Sequence, residues 1–225
     1  PDFDPLRSLP CSEPVANSWR SAATRETLRM LCGPDDWAVE PPPDKIRTAE
    51  EVANRAVALF AVVGLALGTE PSDITDWLSE NELWSQLTPS ELLIINTRQL
   101  SKQQTIDASW LSERLIILIW ALGKIENLPA ANEQCDTSLF QDVLPPFSKE
   151  SVREFLSVAR LRSDADLLRE ADRTLGLHWE ARDSKVMGRS SAVPVDIEVI
   201  QERHHAINWI IGYDGLPWDE VTTDT

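Results

Sequence analysis

Apolar residues recur along most of this chain at the three- and four-residue spacing of an α-helix. Two segments, one within residues 48–68 (EVANRAVALFAVVGLALG) and one at residues 106–125 (IDASWLSERLIILIWALGKI), are strongly apolar, and we expect them to form two buried central helices. No stretch shows several strands of alternating polarity separated by turns, and no repeat of fixed period occurs. The sequence therefore predicts an all-α fold, an irregular multi-helix bundle around two strongly apolar central helices.

Capping signals indicate where several of the helices begin. Thr48, Thr88 and Ser163 are each followed three residues later by an acidic residue, which is the spacing of a capping box. Further helices are predicted over residues 14–32, from Ser72, from Ser148 and over residues 196–211.

The chain is predicted to hold one domain with an arm at its start. Residues 1–13 contain prolines and show no periodicity, so they form an N-terminal arm, and residues 14–225 form a single helical domain. Residues 212–225 are non-helical because glycines and a proline interrupt them. We nevertheless expect this tail to be ordered, with Trp218 folded back onto the bundle.

Charge limits the classes of partner. The 37 acidic residues outnumber the 21 basic ones, and the formal charge of -16 repels phosphate backbones and anionic lipids. Nucleic acids and membranes are therefore poor partners, whereas a basic protein would be attracted; the same acidic excess also serves solubility alone. Three widely spaced cysteines without a CxxC pair, and no secretory signal at the start, favour a reducing, cytoplasmic setting.

Motifs for known chemistry do not occur. The chain has no GxGxxG, GxxxxGK[ST] or GxSxG, so no cofactor and no catalytic residue is assigned. Glu202 and His205 form one Glu-x-x-His step, but a di-metal bundle needs two, so no metal is assigned either.

Four charged residues interrupt apolar helix faces and are predicted to meet inside the bundle. They are Arg55, Glu113, Asp172 and Arg203. A buried charge without a partner is costly, so we expect an internal ion-pair cluster, with Trp110, Trp179 and His205 near it. Such a cluster either fixes helix register or binds a polar ligand, and the sequence favours the structural role because it lacks a nucleophile or histidine base among the four.

Nine tryptophans are present, and most lie on predicted helix faces. Trp37 and Trp218 instead lie in loops beside acidic residues, which makes them candidates for contact with a partner. The alternative is that each loop folds back and packs its indole against the bundle.

Five segments together resemble an uncharacterised, largely bacterial family, the domain of unknown function 4272. They are EVANRAVALF, WLSEN…LTPSE, SWLSERLIILIWALGKIENL, LRSDADLLREADRTLGLHWEARD and ERHHAINWIIGYDGLPWDEVTTDT. The resemblance covers the chain from the second predicted helix onward and includes all four charges of the predicted cluster. It implies a bacterial cytoplasmic setting, but no activity, cofactor or catalytic residue.

Acidic charge without catalytic motifs leads to one functional expectation and one alternative. We expect a non-enzymatic protein-interaction module, such as an inhibitor or immunity-type partner of a basic protein. The alternative is an enzyme or small-ligand-binding protein that uses the internal cluster.

Overall fold

Eight α-helices and three short 3₁₀ turns, joined by loops, lie within residues 45–97, 99–191 and 193–225, the part of the chain that the computed structural model describes. The helices are α1 (Ala49–Ala66), α2 (Pro71–Glu80), α3 (Pro89–Ile95), α4 (Lys102–Ala121), α5 (Leu139–Val143), α6 (Val152–Ser157), α7 (Asp164–Met187) and α8 (Ile197–Ile211). These residues contain no strand, which confirms the all-α prediction. The predicted arm, the predicted helix over 14–32 and Trp37 lie outside the described residues.

Capping side chains set the helix starts much as the sequence predicts. Thr48 and Thr88 each complete a capping box at the start of α1 and α3, and the Ser163 hydroxyl accepts from the backbone of α7. Two starts differ from the prediction. Helix α6 begins after Ser151, which forms a box with Glu154, rather than after Ser148. Helix α4 begins four residues early, because Ser101 caps it.

Helix α4 lies between α1 and α8, and α7 packs on α8. The two apolar segments predicted to be central are α1 and α4, and both are largely buried. Helix α8 is equally buried although it carries polar residues such as Arg203, His204 and Asn208. It is therefore a third central helix, which apolar periodicity alone does not indicate.

The face of α7 that packs on α8 differs from the predicted one. Sequence periodicity points Leu168, Asp172, Leu175 and Trp179 toward the core, and this is wrong, since all four are exposed. The buried face lies one position earlier along the helix and consists of Leu167, Ala171, Thr174, His178, Ala181 and Ser184. Most of these side chains are small, so they allow α7 to lie close against α8.

The C-terminal tail lies on the bundle through its indole and its backbone. Trp218 is 5% exposed and its ring stands nearly perpendicular to those of Trp209 and His205, at centroid distances of 5.2 and 5.0 Å. Arg47 Nη2 donates to Leu216 O at 2.8 Å, and Asn208 Nδ2 donates to Thr222 O at 3.0 Å. Burial of a large aromatic ring offsets the entropy lost when a short segment is ordered.

Among the described residues, no helix combines the length and apolar character that crossing a bilayer requires.

A cleft between two central helices and the tail

Three of the four charges predicted to form one cluster lie in two separate buried ion pairs, and the fourth is exposed. Glu113 and Arg203 form the first pair, with Arg203 Nε donating to Glu113 Oε2 at 2.8 Å. Glu113 is fully buried and Arg203 is 2% exposed. Arg203 also donates to Pro129 O at 2.7 Å, so the pair ties α4 and α8 to the connection after α4.

Arg55 forms the second pair with Glu91, which is not part of the predicted cluster. Arg55 Nη2 donates to Glu91 Oε2 at 2.6 Å, and Arg55 Nη1 donates to Gln86 O at 3.0 Å. The guanidinium also lies 5.2 Å from the centroid of the Trp218 ring. Arg55 therefore links α1 to α3 and to the tail.

Asp172 does not join either pair, because it lies on the exposed face of α7. Trp179 is on the same face, 56% exposed, and does not neighbour the buried charges as predicted. Trp218 is buried, so the structure matches the alternative in which this loop packs its own indole, rather than direct contact with a partner.

A cleft of about 640 Å³ opens between α3, α4, α8 and the tail. Its described lining includes the predicted neighbour Trp110, and a smaller cavity of about 310 Å³ that shares several of its residues includes His205. The apolar part of the lining comes from Ile94, Ile106, Ala108, Trp110, Leu111 and Trp218. The ionisable part comes from Glu91, Asp107, Arg114, Glu198, Glu202 and Asp219.

Arg114 organises the side of the cleft formed by α4 and α8. Its Nε forms a close ion pair with Glu202 Oε2, and its Nη1 donates to His205 Nε2 at 3.1 Å. Because a guanidinium has no acceptor, the Nε2 of His205 carries no proton. Burial, together with the Arg114 charge, lowers the pKa of His205 to about 3, so this imidazole is neutral at physiological pH.

Asp219 joins the tail to the start of α3. Its Oδ1 accepts from Ser90 Oγ at 2.9 Å, and its Oδ2 accepts from the backbone N–H of Ser90 at 3.2 Å. Together with the buried Trp218 beside it, Asp219 forms the wall of the cleft that the C-terminal tail contributes. The cleft therefore depends on the tail being in place.

Two buried polar atoms of the Arg55–Glu91 pair, Arg55 Nε and Glu91 Oε1, lack a hydrogen bond within the described part of the chain. Glu91 lines the cleft, is 2% exposed, and its Oε1 has no hydrogen-bond partner among the described residues. An unsatisfied buried carboxylate oxygen is costly and favours a donor from outside. Together with the other carboxylates of the lining, it suits a cationic group better than an anion.

Local sequence patterns point to Trp110, His205 and Trp218, but they assign no site role to Glu91, Arg114 or Asp219. Glu91 appears in the sequence as a capping residue, a role it also has in the structure. The spacing of Glu202 and His205 places them on one face of α8, and Arg114 of α4 contacts this face. Arg114 and Glu202 are 88 positions apart in the chain, so local spacing gives no signal of their contact.

Comparison with known proteins gives one match. A family model described as "Domain of unknown function (DUF4272)" matches residues 37–221. No curated protein and no solved structure matches the chain.

Proposed function

We propose that this chain, which belongs to the family of domains of unknown function DUF4272, is a non-enzymatic module that binds a basic protein by taking one of its lysine or arginine side chains into the cleft. The observation that carries the proposal is the makeup of the cleft. Among the described residues that line it, five carry carboxylates and one carries a guanidinium, around a partly aromatic surface.

The charge balance of the lining supports a cationic guest. Glu202 is neutralised by Arg114, and Glu91 is paired with Arg55 through one of its two oxygens. Asp107 and Glu198 are exposed at the cleft and form no ion pair with another described residue. An incoming ammonium or guanidinium would meet negative charge in a partly desolvated setting, where ion pairs are stronger than in bulk water.

The apolar lining supports a side chain with a long stem. Lysine and arginine bury their methylene groups along apolar surface while the charged head meets polar groups. Trp110 and Leu111 offer such a surface on α4, and an indole face also attracts a cation directly. The formal charge of -16 would add long-range attraction for a basic protein, as in inhibitor or immunity proteins that cover a cationic partner.

The state of His205, the one histidine in the described lining of these cavities, supports a binding role over proton transfer. His205 accepts from Arg114 through Nε2 and hydrogen bonds to the backbone of Trp218, so its ring is engaged on both sides. A general base needs a pKa near the operating pH and access to the substrate proton. With a pKa of about 3, His205 lacks the first of these.

The alternative function, an enzyme or small-ligand-binding protein that uses Arg55, Glu113, Asp172 and Arg203, has less support. Only Arg55 reaches the cleft lining, through its partner Glu91. The cleft volume does fall in the range typical of small-ligand sites, so a small organic cation is the form of this alternative that the geometry favours.

A pull-down with matched variants tests the proposal. Asp107→Asn with Glu198→Gln removes two charges at the cleft, and Asp76→Asn with Glu80→Gln removes two exposed charges from α2, outside the cleft lining. We expect the wild-type chain and the α2 variant to retain a basic protein at low salt. The cleft variant should bind the purified partner at least about fivefold more weakly, since each lost charge pair is worth a fraction of a kcal/mol or more.

Two results would contradict the proposal. The first is the absence of any stoichiometric partner at low ionic strength, where attraction between charges is strongest. The second is a partner that both variants bind equally well. Titration with free arginine amide distinguishes the proposal from the alternative function. A small-ligand site would bind arginine amide as tightly as it binds an arginine side chain of a protein.

A further inference from the structure

Helix α7 carries an apolar stripe that faces away from the bundle. Leu168, Leu175, Trp179 and Val186 lie along it and are 43–75% exposed. Two charged residues, Asp172 and Arg182, complete the row and are also exposed. Exposed apolar residues aligned on one helix face mark an interaction site more often than scattered ones do.

The row has the spacing of a coiled-coil seam. Its six positions, 168, 172, 175, 179, 182 and 186, are separated by alternating steps of four and three residues. This is the a and d pattern of a heptad repeat, which turns one face of a helix toward a partner helix. The face of α7 that packs on α8 is a different one, so the seam has no helix against it among the described residues.

We propose that two copies of this chain associate through α7 as an antiparallel helix pair. The row is complementary to itself when it is reversed about its midpoint at Leu177. Leu168 then faces Val186 of the second copy, Leu175 faces Trp179, and each of these contacts occurs twice. All six layers of the row, which are of three kinds, pair an a position with a d position, which is how antiparallel coiled coils pack.

Charge complementarity selects this arrangement. In the antiparallel register Asp172 of each copy faces Arg182 of the other, so two ion pairs form within the seam. A parallel pair would instead place Asp172 against Asp172 and Arg182 against Arg182, which repel. Arg182 already donates to Thr225, and its guanidinium has five donors, so it can also bind a carboxylate of the second copy without losing that contact.

The residues beside the seam fit the same register. Gly176 lies next to the midpoint, and a Cβ built there meets no atom within 4 Å, so a second helix can approach closely. Arg169 and Asp183 border the seam on opposite sides of the midpoint and would face each other across the pair.

The seam spans about 27 Å at 1.5 Å per residue, which is short, so the dimer should be weak, on the order of micromolar.

The test is sedimentation velocity of the full chain over a wide concentration range, combined with charge exchange. We expect a monomer that converts to a dimer as concentration rises. Asp172→Arg alone, or Arg182→Asp alone, should weaken the dimer at least about tenfold, because each places like charges opposite each other twice. The double variant Asp172→Arg with Arg182→Asp should restore it, since it exchanges the two partners.

Mixing the two single variants provides a second readout. Each alone should be monomeric, and the mixture should form a heterodimer in which every charge meets its opposite. Circular dichroism shows whether each variant is folded before it is compared. A chain that stays monomeric up to concentrations on the order of 1 mM overturns the proposal. So does a dimer that neither single variant weakens, or one that the double variant fails to restore.

Discussion

Replacement of Glu113 by glutamine tests whether the buried pair with Arg203 holds the centre of the bundle together. Glu113 accepts from Arg203 Nε through one oxygen and from the backbone N–H of Cys135 through the other. Arg203 in turn donates to the carbonyls of Pro129 and Ala130. Glu113→Gln keeps the shape of the side chain but removes its charge, and it leaves an amide NH₂ that must face one of the two donors.

The expected loss of stability follows from the burial of both partners. Glu113 is 0% and Arg203 2% exposed, so the guanidinium cannot regain solvation when its counter-charge is lost. Removing one partner of such a pair costs about 3–5 kcal/mol. For a domain of this size that corresponds to a fall in melting temperature of roughly 6–20 °C, at about 2–4 °C per kcal/mol. Stabilities of about 5–15 kcal/mol are typical, so the variant should still fold.

Urea denaturation, followed by circular dichroism, measures the difference in unfolding free energy. The matched control is Glu150→Gln, the same chemical change in the partly exposed pair between Glu150 and Lys124, for which we expect less than about 1 kcal/mol. Addition of Arg203→Met to Glu113→Gln should cost much less than the sum of the two single changes, because no charge is then left unpaired. A loss below about 1 kcal/mol for Glu113→Gln, or simple additivity in the double variant, would refute the reasoning.

Three further predictions follow from individual residues. Gly212→Ala should destabilise the fold by several kcal/mol, because Gly212 has a φ of +75° and an added Cβ would lie 2.1 Å from Lys45 O. Gly176→Ala, whose Cβ meets no atom within 4 Å, should be neutral or stabilising in the same urea assay when both variants are measured below the concentration at which the chain dimerises. The imidazole of His205 has a pKa of about 3 in the folded chain and stays neutral, whereas in the unfolded chain it binds a proton below about pH 6.5. Stability that is present above that pH is therefore lost as the pH falls toward 3, and His205→Gln should make the unfolding free energy less dependent on pH in this range. Denaturation at about pH 7 and about pH 4.5 measures this, and an unchanged wild-type slope in the variant would contradict it. Burial and the nearby Glu113 carboxylate raise the pKa of the Cys135 thiol to about 12. In a background without the other two cysteines, iodoacetamide should therefore label it at least about a hundredfold more slowly at pH 8 than after unfolding, and equal rates would show that the thiol is accessible.

Local signals predicted the helices better than the faces they bury. Capping residues such as Thr48 and Thr88 act within four positions of the chain, so their effect can be read without knowing the fold. The predicted core face of α7 was wrong because Leu168, Leu175 and Trp179 have helical spacing whichever way the helix is turned. Periodicity shows that a stripe exists, and only the partner helix decides whether that stripe is buried.

The candidate cleft was predictable in part. The sequence predicts Trp110 and His205 as pocket residues, and it predicts that Arg55, Glu113 and Arg203 are buried and paired, as the structure shows. Which acid pairs with which arginine could not be predicted, because the sequence does not show which helices lie side by side. In the structure Arg55 pairs with Glu91, and Arg203 pairs with Glu113.

The sequence by itself therefore determined the helical class, several helix starts and the need for buried charges to find partners. These follow from hydrogen bonds and solvation that act locally or on each residue alone. Tertiary structure decided which face of α7 is exposed, which acid pairs with Arg55 and where α3, α4, α8 and the tail leave a cleft. Those outcomes depend on packing among segments that are distant in the chain, where small differences in side-chain size decide how closely two helices approach.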